Sequence, residues 1–188
     1  YPIHVGIKHT QRSQGIVAAI QRLVALMARQ LLPCPAGTPS DGGNNIIKAV
    51  KKACPNAIRQ RCLAHIQREC LTWITKHPQS EAGRELRKIV CMICLIKTHN
   101  DKLQWISDFK NWSEEYKDYL NEKTFKEESH REWYTHKMVR RAYVHIKKAL
   151  PDMFHFLDNP RVSKTTNALE SFFGHLKENV TLHRGMSY

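Results

Sequence analysis

The residues able to do chemistry fall into three short stretches. "SDGGNN", residues 40–45, contains Asp41, the first acidic residue of the chain. "QRCLAH" holds Cys62 and His65, and "TTNALESFFGHLK" holds Glu170. Asp-Gly is a common turn. At the carboxyl end of a strand, followed by Gly-Gly, the same acid lies where open α/β sheets bind ligands, and the glycines let a phosphate backbone come close. Glu170 sits about 100° from Leu169 on a helical wheel, on the flank of an apolar stripe. One turn later Gly174 offers no side chain beside it. A local role competes here: Asn167 could cap the helix, with Glu170 reaching back as in a capping box.

Cys-x-x-His is half a zinc site by spacing, and Cys91 with Cys94 could supply the other half. Those two lie in an apolar helical run, where cysteine is usually a small core residue. The other reading has Cys62 and His65 packing and hydrogen-bonding beneath the Asp41 loop. Two basic runs carry candidate phosphate contacts: Lys137, Arg140, Arg141, Lys147 and Lys148 in "HKMVRRAYVHIKK", then Lys177, His183 and Arg184 in "HLKENVTLHRG". Such runs can equally be solvated faces. Trp105, Trp112 and Trp133 read as helix-packing residues rather than base-stacking wedges.

These side chains need elements to position them. "YPIHVGIK" has a β-branched core and reads as a strand. Ile16, Ile20, Leu23, Val24, Met27 and Leu31 form one stripe, which predicts a helix over 14–32. "LPCPAGTP" ends it, since prolines cannot continue a helix. A second helix is predicted from about Asn45, and "NAIRQRC" (56–62) alternates like a strand. The first 65 residues thus have the rhythm of an α/β layer. From 66 to about 160 the periodicity is helical throughout. A last helix is predicted from Asn167, with Leu169, Phe172, Phe173, Leu176 and Val180 on one face. The fold class expected is α+β and predominantly helical, with a large all-α block.

The chain has 188 residues and a formal net charge of +13. A domain this basic usually faces a polyanion, most often nucleic acid. Six cysteines without a secretory signal argue for a reducing compartment. No apolar run approaches the roughly 20 residues of a membrane span.

Taken in order, "SDGGNNIIKAV", "CPNAIRQRCLAH" and "SKTTNALESFFGHLKENVTLHRGMS" resemble the catalytic region of Mutator-like DDE transposases of bacterial insertion sequences. "SEAGRELRKIV", "YKDYLNEKT", "YTHKMVRRAY" and "LPDMFHF" resemble the helical insertion of one bacterial branch. The resemblance covers about residues 40–188. It implies a partial RNase H-like fold split into 1–65, an all-α insertion 66–160, and a closing helix 161–188. It also implies two Mg²⁺ ions held by three carboxylates, with Asp41 as the second aspartate and Glu170 as the closing glutamate. Cys62, His65 and Asn167 would support that site. The implied partners are transposon ends and target DNA, the intact enzyme being a homo-oligomer in the bacterial cytoplasm, associated with the nucleoid.

Two features depart from that pattern. No acid precedes Asp41, so the first catalytic aspartate is missing. "CPAGTP" also makes a poor buried strand. The expectation is a truncated, inactive copy or fragment. Rival expectations are a non-catalytic DNA-binding derivative, and a zinc-stabilised helical module built on Cys62, His65, Cys91 and Cys94.

Overall fold

The computed structural model describes residues 13–30 and 35–182. The strand expected in "YPIHVGIK" lies outside them. The α/β rhythm that follows is present as α1 (Ser13–Arg29), β1 (Gly37–Ser40), α2 (Asn44–Ala53) and β2 (Ile58–Arg61). β1 forms in the stretch expected to make a poor buried strand, and its four residues are half-buried rather than buried. It pairs in parallel with β2, Gly37 opposite Ile58 and Ser40 opposite Arg61. Ala36 and Ser40 carbonyls accept from the Ile58 and Cys62 amides. By that parity the nitrogen of Pro39 points away from β2, the edge position where proline is tolerated. Gly37 is needed for another reason: a Cβ there would lie 2.5 Å from Val162 Cγ2.

Beyond β2 the chain is mainly helical, as expected: α3 (Leu63–Ile74), α4 (Glu81–Met92), α5 (His99–Glu115), the short α6 (Lys117–Asn121), α7 (Lys137–Ala149) and α8 (Asn167–Leu182). Two caps are explicit. The Ser80 hydroxyl accepts from the Gly83 amide at 3.1 Å. Thr98 and Asp101 form a reciprocal capping box before α5, and the backbone donors of Lys97 and Thr98 hold the Asp101 carboxyl below its ordinary range. Leu86, Val90, Ile93, Leu63, Ile66, Ala142 and Ile146 are fully buried in one core with Trp105, Phe109 and Trp112. The two indole N–H groups donate to carbonyls of Ile89 (2.8 Å) and Ala82 (3.0 Å), which removes the cost of burying them unpaired. Trp105 and Trp112 are thus packing residues.

Trp133 is not. The block expected to be all-α contains an antiparallel ribbon, β3 (Lys123–Lys126) and β4 (Arg131–Tyr134), and Trp133 lies on it, 44% exposed. "TFKEES" and "REWY" give no apolar period of 3.6, and His130 (φ 47°) makes the turn between the strands. The molecule is nonetheless α+β and predominantly helical.

The helical block is tied to β2 where it starts and where it ends. Gln60 is buried and donates to the carbonyls of Met153 (2.6 Å) and Arg61 (2.7 Å), while its oxygen accepts from the Phe156 amide (3.2 Å). The Leu63 amide donates to the Lys164 carbonyl at 3.0 Å. Lys164 in turn reaches the Cys94 carbonyl at 2.9 Å.

Candidate active site

Asp41 follows β1 directly, at the carboxyl end of the strand pair. Its Oδ1 accepts from the Gly43 amide at 2.9 Å, a local turn of the kind aspartate favours. Gly42 has φ 86°, a region that L side chains rarely adopt. The Arg61 guanidinium lies against it, so close that a Cβ would meet Arg61 Nη1 at 1.9 Å. The turn is therefore both a turn and a packed floor. Arg61 Nη2 reaches His145 Nε2 at 3.5 Å, while its buried Nε has no hydrogen-bond partner among the described residues.

Glu170 lies on the first turn of α8, and its carboxylate folds back onto the start of α3. The Thr166 hydroxyl donates to Glu170 Oε1 at 2.7 Å. His65 Nε2 is 3.7 Å from the same oxygen, and Arg68 Nη2 is 3.6 Å from Oε2. The Thr166 hydroxyl, then the charges of His65 and Arg68, hold the Glu170 carboxyl below its usual range. Thr166 also meets Cys62 twice, hydroxyl and amide each 3.3 Å from the sulfur, and its hydroxyl is 3.5 Å from His65 Nδ1. Burial alone would push the Cys62 thiol up, but these contacts from Thr166 and His65 outweigh it and lower its pKa.

The motifs around Cys62 and Glu170 thus meet through Thr166, which sequence reasoning passed over in favour of Asn167. Asn167 is exposed, opens α8 as its first residue and makes none of these contacts. The signal available was its position: the residue before a helix is where a hydroxyl is expected. Here that hydroxyl goes to the Glu170 side chain, four residues on. Asp41 is linked to the same cluster through the backbone, because its neighbour Ser40 accepts from the Cys62 amide at 2.8 Å.

The cysteine tetrad does not assemble. Cys62 is buried against Thr166, Cys91 is exposed and Cys94 half-buried. Among the described residues no three His, Cys, Asp or Glu side chains converge as metal ligands. The basic candidates divide. Arg140 donates to the Leu120 carbonyl (2.9 Å) and Asn121 (3.0 Å) and lies over the Tyr134 ring at 3.6 Å, so it braces the ribbon. Lys147 lies 5.6 Å over Tyr143. Lys137, Arg141 and Lys148 are exposed. The Lys177 side chain, His183 and Arg184 lie outside the described residues.

The donor chemistry of Asp41 and Glu170 suits a hard cation, since Mg²⁺ prefers carboxylate oxygens. Among the described residues no third acidic, histidine or cysteine side chain completes a metal-holding group with them. Among the described residues no helix is long and apolar enough to cross a membrane.

Comparison with known proteins gives one family. The model described as "Transposase IS66 family" matches residues 47–172, which span both Cys62–His65 and Glu170. It supports a DDE transposase of an insertion sequence, and not the Mutator-like branch. Curated proteins and solved structures give no match.

Proposed function

Since the chain belongs to the IS66 family of transposases, we propose that it forms part of a DDE catalytic region that cleaves and joins the DNA of an insertion sequence. Asp41 is its second carboxylate and Glu170 its closing one, on a partial RNase H-like frame. The observation that supports this most is the Cys62–His65–Thr166–Glu170 cluster. It draws two motifs about a hundred residues apart to the strand end that carries Asp41.

In this reading two Mg²⁺ ions supply activation of an oxygen nucleophile and stabilisation of the leaving oxygen. The protein's own residues do the rest. Thr166 and His65 hold Glu170 in one orientation, and Gly43, whose missing side chain would make only ordinary contacts, leaves room for a sugar–phosphate backbone. Arg68 stands 3.6 Å from the second carboxylate oxygen. The substrates are transposon ends and target DNA. The setting is the bacterial cytoplasm, with the intact enzyme acting as a homo-oligomer on the nucleoid. With two carboxylates of three, these 188 residues alone neither cleave nor join DNA.

The test is divalent-cation binding, followed by Mn²⁺ electron paramagnetic resonance on Asp41→Asn and Glu170→Gln. Each substitution should weaken binding at least tenfold. Unchanged affinity in both would refute the shared site and leave the non-catalytic DNA-binding reading.

A further inference from the structure

The α3 helix runs between Glu170, which meets His65 and Arg68, and the basic face of α7, which meets Trp73. Lys137, Arg141, His145 and Lys148 follow one another on α7 at spacings of four, four and three, which places them on one face. Arg141 lies over the Trp73 ring of α3 at 4.4 Å, and His145 meets the same ring edge-on at 5.2 Å. At the near end of this face Arg61 joins His145 to Gly42. Across α3, Arg68 stands beside Glu170.

Basic side chains outnumber acids on this surface. Among the described residues Lys137, Arg141 and Lys148 form no ion pair, while Glu69 lies 3.2 Å from His145 and Glu170 3.6 Å from Arg68. An arginine stacked on an indole has its orientation fixed, while the N–H edge of its planar guanidinium stays available for two oxygens of a phosphate. Arg140, by contrast, is committed to the ribbon.

We propose that this α3–α7 surface is the track of one DNA strand. Its phosphates would lie along Lys137, Arg141 and Lys148, with Arg61 and Arg68 gripping the strand where it reaches Asp41 and Glu170. The eleven residue steps from Lys137 to Lys148 rise about 16 Å, which matches roughly five nucleotide steps of one strand. The proposal rests on the transposase reading for the identity of the polyanion and adds where it binds.

The experiment is the salt dependence of binding to a DNA duplex, read by fluorescence anisotropy on the full chain. Lys137→Gln, Arg141→Gln and Lys148→Gln should each flatten the log–log slope by about 0.9, and the triple variant by about 2.7. Arg141→Lys should keep the slope, which separates charge from packing on Trp73. Lys110→Gln with Lys117→Gln, on exposed lysines of α5 and α6, should leave it unchanged. A triple variant with the wild-type slope overturns the track while the transposase reading stands. So does an equal loss in the α5 and α6 control. A wild-type chain that shows no salt-dependent DNA binding overturns both.

Discussion

Gly42 carries two constraints at one position. Its φ of 86° disfavours any side chain, and the Arg61 guanidinium fills the space where a Cβ would go. Gly42→Ala should therefore cost about 1–3 kcal/mol in urea unfolding. Adding Arg61→Ala should recover part of that loss, because the clash goes while the backbone strain stays. Strictly additive effects would show that the guanidinium moves aside at no cost. The neighbouring residues show what was legible. Asp41, Cys62, His65 and Glu170 could be picked out because their types suit chemistry. Arg61 could not, since one of many arginines gains meaning only from the residues folded against it, and Thr166 offered no more than its place before a helix.

At the scale of elements, α3 and α7 meet through His145, which touches Glu69, Trp73 and Arg61. Burial, reinforced by the Arg61, Arg141 and Lys148 charges, lowers the pKa of His145 despite Glu69. The folded state thus binds this proton less readily than the unfolded chain. Its contribution to stability is present above the unfolded value of about 6.5 and is lost as pH falls through that value towards the lower folded one. Thermal melts of the wild type should fall across that window, and His145→Gln should flatten the fall. A variant with the wild-type pH profile would place the acid sensitivity elsewhere. Helical periodicity made α1, α2 and the core of α3 to α7 readable in advance, although the α1 stripe is not a buried face, since Leu23 is 49% exposed. The ribbon β3–β4 was not readable, because its strands have four residues each and little of them is buried. β1 was obscured by its proline and glycine, whose acceptability depends on which edge faces β2 and on how closely Val162 approaches.

At the scale of the molecule, Gln60 is the fastening between the strand pair and the helical block. Gln60→Leu would leave the Met153 carbonyl and the Phe156 amide without their partner, at about 1–3 kcal/mol for each buried group. Hydrogen exchange should then show the β1 and β2 amides losing protection ahead of those in α4 and α5. A uniform loss across the chain would mean that the two parts open as one unit. The bond between the Leu63 amide and the Lys164 carbonyl has a wider implication. A detour of about a hundred residues leaves and rejoins the strand layer at a single point. Closing a loop costs only about 0.6 kcal/mol more for each doubling of its length. The middle of that detour, away from His65, Arg68, Met153 and Phe156, can therefore lengthen or shorten with little penalty to the layer that carries Asp41, so a lineage can vary the size of its helical block while keeping that layer.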